Sequence, residues 1–242
     1  MSNPSAAILI IGDEILSGRT REGNAWYLAG ELTRIGIDLR EIRVVGDDHA
    51  TIRGAVQALS AAHDHLFTSG GIGPTHDDIT ADAVAGAFGA PISVRDDARA
   101  LLAAHYAARG VEFNEARQRM ARIPDGATLI DNPVSVAPGF TIGNCHVMAG
   151  VPNVFQAMVA SVLPTLTGGA PLLSQSLRVQ MPEGVVAAPL GALAAEYPDL
   201  SMGSYPYSQD GVPGTNLVVR GQDAARIDAA MTRLHALFGA TA

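Results

Sequence analysis

The stretch Ser69-Gly70-Gly71-Ile72-Gly73-Pro74-Thr75-His76-Asp77-Asp78-Ile79-Thr80 decides the fold of this 242-residue chain. An apolar run, His65-Leu66-Phe67-Thr68, precedes it. Thr80-Ala81-Asp82-Ala83-Val84-Ala85 follows, with Thr80 as an N-cap candidate ahead of helix formers, so the stretch predicts strand, glycine-rich loop, helix. Three glycines in four residues let the backbone turn sharply and bring its N–H groups up to a ligand, and the helix N-terminus beyond them favours negative charge. Two readings fit these residues. In one, the loop cradles phosphate, and the adjacent carboxylates Asp77 and Asp78 hold a hydrated Mg²⁺-like cation between protein and phosphate. In the other, Gly-Gly-x-Gly-Pro is a tight turn, and the two acids sit in a first helical turn where the dipole favours them.

Known phosphate loops are excluded by residue type. His76 stands where a Rossmann fingerprint needs its third glycine, and no Lys-Ser or Lys-Thr follows as a Walker A loop requires. All sixteen basic residues are arginines, which also excludes Schiff-base and lysine general-base chemistry. The net charge of −8 and pI near 5.2, without an arginine-rich run interleaved with aromatics, speak against a nucleic-acid partner. An anionic ligand must then be met locally, by helix N-termini, a few placed arginines, or a cation.

Working outward, Ala6-Ala7-Ile8-Leu9-Ile10-Ile11 is a continuous apolar run of the kind buried on both faces of a parallel sheet. It is too short to span a bilayer and no basic segment precedes it, so the expectation is a cytoplasmic chain without a membrane partner. Gly12-Asp13-Glu14 lies at its end, and Ala25, Leu28, Ala29, Leu32 and Ile35 then recur at helical spacing up to Gly36. A second unit reads as strand from Ile37 to Val45, then Gly46-Asp47-Asp48, then a helix marked by Ile52, Val56 and Leu59. Three successive strand-helix units predict an α/β fold: a three-layer α/β/α, doubly wound, mostly parallel sheet. In such sheets ligands sit at the carboxyl ends of strands, where Asp13-Glu14 and Asp77-Asp78 both fall and can share one crevice. For Asp13 and Glu14 a solvated turn is the competing reading.

Further along, Pro91 to Val94 reads as an edge strand, Asp96 to Arg109 as a helix with Leu101, Leu102 and Tyr106 on its apolar side, and Asn114 to Arg122 as another helix. Arg119 and Arg122 share a face of that helix, suited to an anion or to ion pairs. Thr128-Leu129-Ile130 and two apolar runs ending in Ala149-Gly150-Val151-Pro152 read as strands, and Val154 to Leu166 as a closing helix. The lone Cys145 reads as a buried structural thiol. Breakers from Leu166 to Pro171 predict a boundary between a domain over 1–168 and a small α+β domain over 172–242. In the latter, strands are expected at Ser176–Met181, Leu200–Tyr207 and Asn216–Val219, and helices at Val185–Ala195 and Ala224–Leu237. His235 reads as a surface helix residue, and the small domain as a packing or assembly element.

Gly12-Asp13-Glu14-Ile15-Leu16 together with Gly70-Gly71-Ile72-Gly73-Pro74-Thr75-His76-Asp77-Asp78-Ile79-Thr80 resembles the molybdopterin-binding MoaB/Mog domain family, nearest to the amino-terminal domain of competence/damage-inducible protein A (CinA). The likeness runs from about residue 6 to 166, and the tail looks like the small domain that follows in CinA-type proteins. The resemblance implies binding of the molybdenum cofactor's pterin or, in the CinA branch, hydrolysis of ADP-ribose-like pyrophosphates with a divalent metal. It also implies a homo-oligomer. A related domain is fused to eukaryotic FAD synthetase. Asp78 matches the loop aspartate taken as catalytic, and Asp13 with Glu14 match the family's first acidic loop. The chain departs from the family where Asn132-Pro133-Val134-Ser135-Val136-Ala137-Pro138-Gly139 replaces Asn-x-x-Gly-Thr-Ala-Pro-Gly, and where Ala149 replaces a proline.

The expected function is thus binding of a phosphorylated pterin or nucleotide. It comes either with metal-dependent pyrophosphate hydrolysis or as a non-catalytic module. For catalysis the candidates are Asp78, Asp77 and Asp13. For the metal they are Asp77, Asp78 and Glu14. The ligand wall is expected from Gly12, Asp13, Glu14, Ser69, Gly70, Gly71, Gly73, Pro74, Thr75, Asn132, Ser135 and Gly150.

Overall fold

The computed structural model describes residues 3–239. They divide into two compact units, residues 3–169 and 170–239. The first unit runs β1 (Ser5–Ile11), α1 (Asp13–Leu16), α2 (Asn24–Arg34), β2 (Asp38–Val45), α3 (His49–Ala62), β3 (His65–Ser69) and α4 (Thr80–Phe88). It continues through β4 (Ile92–Val94), α5 (Asp96–Ala108), α6 (Glu115–Gln118), β5 (Arg122–Pro124), β6 (Thr128–Ile130), β7 (Gly139–Ile142), β8 (Cys145–Met148) and α7 (Pro152–Val162).

Six strands form the central sheet in the order β2-β1-β3-β8-β7-β6. The β1–β2, β1–β3 and β3–β8 pairs are parallel. The β6–β7 and β7–β8 pairs are antiparallel. The sheet is therefore mixed, with its parallel half made of the strands read from the opening stretch outward.

Alternation along β1 shows why the sheet needs two helical layers. Ala7, Leu9 and Ile11 enter a core with Ile52, Val56 and Leu59 of α3 and Val84 of α4. Ala6, Ile8 and Ile10 enter the opposite core, with Leu28 and Leu32 of α2 and Phe155, Met158 and Val159 of α7. Every β1 residue from Ala6 to Ile11 is at most 3% exposed, as its unbroken apolar run requires.

Several details differ from the sequence expectation. Leu102 of α5 is buried, but Leu101 is 48% exposed. The helix expected over Asn114–Arg122 stops at Gln118, passes through a 3₁₀ turn over Arg119–Ala121, and gives way to β5, which pairs antiparallel with β4. Ile123 precedes Pro124, and proline disfavours the helical region in the residue before it. Ile79, not Thr80, is the N-cap of α4, and it makes no side-chain cap bond.

In the second unit β9 (Leu173–Val179), α8 (Glu183–Glu196), β10 (Ser201–Gln209), β11 (Val212–Gly221) and α9 (Ala224–Phe238) form an antiparallel sheet of order β10-β11-β9 with two helices. Val186, Leu190 and Leu193 of α8 meet Leu217 and Val219 of β11 and Ile227, Met231 and Leu234 of α9 in one core. His235 is exposed on α9. Among the described residues, no helix is long and apolar enough to cross a membrane.

Candidate functional site

After β1 the chain turns toward the α2 layer, and after β3 it turns toward the α4 layer on the other face. Adjacent parallel strands whose exits diverge in this way leave a gap at their carboxyl ends. Here the gap is a crevice of about 590 Å³, within the roughly 300–1,000 Å³ of small-molecule sites.

The glycine loop forms its floor by close backbone packing. Gly70 has φ +112, and a methyl group on its Cα would overlap the carbonyl oxygen of Ile11. Gly71, at φ +69, lies against the Thr80 hydroxyl, which is buried and has no hydrogen-bond partner. A Cβ on Gly150 would stand 3.2 Å from the Gly70 Cα. Asn24, at the start of α2 and only 6% exposed, ties these pieces together. Its Nδ2 donates to Ser69 Oγ and to the Gly150 carbonyl, each at 2.8 Å.

Of the residues expected from sequence, Gly12, Glu14, Gly70, Gly71, Gly73, Asp77, Asp78, Asn132, Ser135 and Gly150 line the crevice. Ser69 lines a smaller recess beside it. Asp13, Pro74 and Thr75 line neither. Asp13 is turned toward the loop after β2: its N–H donates to Asp47 Oδ2 at 2.9 Å, and its own Oδ1 accepts from Asp47 N at 3.4 Å. Thr75 braces Asp78, whose Oδ2 accepts from the Thr75 N–H at 2.7 Å and from the Thr75 hydroxyl. Asn132 spends its amide on its own loop. Its Oδ1 accepts from Val134 N and Ser135 N, both at 3.1 Å, and its Nδ2 donates to Ser135 Oγ and the Ala137 carbonyl. Beside it Val136 sits at φ 67, a left-handed conformation strained for a β-branched residue.

Four carboxylates therefore line the crevice: Glu14, Asp47, Asp77 and Asp78. Partial burial pushes Asp47 above the ordinary carboxylate range against the hydrogen bond from the Asp13 amide, and the charges of Asp13, Glu14 and Asp77 add to the rise. Thr75, the Asp77 backbone amide and the nearby His76 together hold Asp77 below that range. Such a cluster repels bare phosphate. A cation would relieve the repulsion, yet among the described residues no three His, Cys, Asp or Glu side chains gather into a set that could hold a metal, so Glu14, Asp77 and Asp78 do not form a closed cage. An open arrangement of the Mg²⁺ kind, with the remaining positions filled by water and substrate phosphate, would need only one or two of these carboxylates.

Sequence reasoning passed over Asp47, Thr20 and Met120, which also line the crevice, and the brace Asn24. Asp47 was findable, because it follows β2 just as Asp13 follows β1. Nothing local marks Asn24. The two arginines paired by sequence part company in the structure. Arg122 forms an ion pair with Asp82. Arg119 lies beside Gly73, Asp78 and Met120, with its Nη2 3.4 Å from the Asp78 carbonyl and its Nε buried without a partner.

Comparison with known proteins agrees with this architecture. Residues 7–168 match the family described as "Probable molybdopterin binding domain", and residues 171–242 match "FAD synthase, middle domain". A "CinA-like protein" of Desulforapulum autotrophicum is 36% identical over 81% of this chain and 50% of its own length. A "Probable FAD synthase" of Caenorhabditis elegans is 31% identical over 96% of this chain and 50% of its own length. The chain thus spans about half the length of these curated relatives. The crystal structure of CinA from Thermoplasma acidophilum, described as of unknown function, superposes with a TM-score of 0.62 at 32% identity, covering 67% of this chain and 97% of that one. With the family match spanning both arms of the crevice, the chain belongs to the probable molybdopterin-binding domain family and is CinA-like.

Proposed function

We propose that the crevice binds a phosphorylated pterin or nucleotide and hydrolyses a pyrophosphate such as that of ADP-ribose with the help of a divalent cation. The observation carrying this reading is the union, in one ligand-sized gap, of a glycine loop with Glu14, Asp47, Asp77 and Asp78. A cation held there would neutralise charge on the phosphates and acidify a bound water. The chain's own part is to position. Close packing of Gly70 and Gly150 lets a ligand approach the backbone, and Thr75 fixes the Asp78 carboxylate, so that Asp78 or Asp77 can orient or accept a proton from the attacking water.

The second reading, a module that binds without turnover, is favoured by one feature, the strained Ser135-Val136 wall in place of the family's Gly-Thr. The experiment is Mg²⁺-dependent release of AMP from ADP-ribose by wild type and by Asp78→Asn, which removes charge and keeps shape. The enzyme reading expects a loss of about 100-fold or more with an unchanged circular dichroism spectrum. Equal rates would remove Asp78 from the chemistry, and binding without turnover in wild type would establish the module.

A further inference from the structure

We infer that Arg119 is the phosphate-gripping residue of the crevice, and that the ligand's phosphate end lies over Gly71–Gly73 beside it. This rests on the reading of the crevice as a site for a phosphorylated ligand. Four observations carry it. First, Arg119 reaches the glycine loop in space: it lines the recess next to the crevice together with Gly73, Asp78 and Met120, which line both. Second, its guanidinium is under-used. Nε is buried with no partner, Nη2 has only a long 3.4 Å contact to the Asp78 carbonyl, and among the described residues no carboxylate lies within ion-pair distance. A buried donor without an acceptor costs stability, so the guanidinium is poorly satisfied where it lies and gains by turning toward a phosphate oxygen in the crevice. Third, Arg122 is ion-paired with Asp82, so of the two arginines lining the recess only Arg119 keeps its charge for a ligand. Fourth, the 3₁₀ turn over Arg119–Ala121 and the short β4–β5 ladder behind it hold this segment on backbone hydrogen bonds, with Arg95 N donating to the Ala121 carbonyl.

The chemistry suits arginine. A planar guanidinium can grip a diphosphate with two parallel hydrogen bonds, and in a chain without lysine the permanently charged side chain has to be an arginine. Placed among carboxylates, one arginine also discriminates: it favours ligands whose phosphates bring their own counter-cation and leaves an unphosphorylated ring with nothing to gain from it.

The test is calorimetric titration of the whole chain with ADP-ribose, in a form whose bridging oxygen is replaced by methylene so that it cannot be hydrolysed, and with adenosine, both in Mg²⁺ buffer, for wild type, Arg119→Gln and Arg119→Met, alongside ligand-free melting. ADP-ribose is expected to bind about 10- to 100-fold more weakly to both variants, while adenosine binds all three proteins alike. Removing an orphaned donor leaves the ligand-free melting temperature unchanged or raises it, most clearly for Arg119→Met, whereas a merely structural arginine would lower it. Equal ADP-ribose affinity in wild type and variants overturns the inference and leaves the crevice standing. A wild type that binds neither probe overturns the crevice reading and this inference with it. If Arg119→Gln loses its helical spectrum, Arg119→Met, which puts apolar atoms where Nε is buried, decides by the same criteria.

Discussion

Asn24→Ala is the most informative single change, because one buried amide joins three separate segments. Asn24 is 6% exposed and donates to Ser69 Oγ and the Gly150 carbonyl at 2.8 Å. Truncation deletes both bonds and strands a hydroxyl and a carbonyl. A typical net bond contributes about 0.5–1.5 kcal/mol, and a stranded buried partner raises its loss to about 1–3 kcal/mol. The Ser69 hydroxyl can rotate toward another acceptor, so its bond counts at the low end and the carbonyl's at the high end, giving a loss of about 2–4 kcal/mol. Two compact units make a single global transition unsafe to assume. The only tryptophan, Trp26, is 82% exposed and reports little on unfolding. The suitable assay is therefore native-state amide hydrogen exchange, read at the α2 amides, whose protection should fall by about 1.5 to 3 orders of magnitude. A change below about 0.5 kcal/mol would refute the reasoning, since it would mean that water replaces the amide.

Two further predictions follow from strain and charge in the same unit. His146 is buried, and burial first, then the neighbouring His65, pushes it down to about 4. It is neutral in the fold and protonated in the unfolded chain between about pH 6.5 and 4, so stability falls as pH drops through that window. The loss is on the order of 2 kcal/mol between pH 6.5 and 5, above the range where most carboxylates titrate, and His65, lowered for the same reason, adds to it. Urea midpoints measured across this range should show that slope and lose most of it in His146→Phe; a flat wild-type profile would refute it. Val136→Gly should relieve about 1–2 kcal/mol of left-handed strain against a glycine entropy cost of about 0.5–1 kcal/mol, raising the melting temperature of the first unit by about 2 °C. A fall would show that φ 67 is not a strained state.

Much of the first unit was legible in the sequence because parallel strands buried on both faces write themselves as unbroken apolar runs. Ala6–Ile11 and Leu66–Thr68 needed no other information. The antiparallel pairing of β7 with β8 was not legible, because short apolar runs carry no sign of direction. Nor was the end of α6: the helical spacing continues through Arg122, and only pairing with β4 converts it to strand. At the site, position relative to strand ends was readable and side-chain direction was not. Asp13 obeys the strand-end rule as well as Glu14 does, yet the one-residue offset points its carboxylate at Asp47 and leaves Glu14 facing the crevice. Asn24 and Arg119 act through contacts across 45 and 41 residues of chain, a separation at which local patterns are silent.

The contact of Gly70 with the Ile11 carbonyl and with Gly150 bears on how any mutational scan of this family should be interpreted. Gly70 tolerates no side chain for reasons set by strand spacing alone, and a side chain on Gly150 forces the Gly70 backbone to give by a few tenths of an ångström, whatever ligand the crevice takes and whether or not it reacts. Intolerance at Gly70 or Gly150 thus carries no information about chemistry. The informative positions are those where geometry permits substitution and no hydrogen bond to another segment holds the side chain, such as Glu14: there, a preference for one residue type has to come from what the crevice meets.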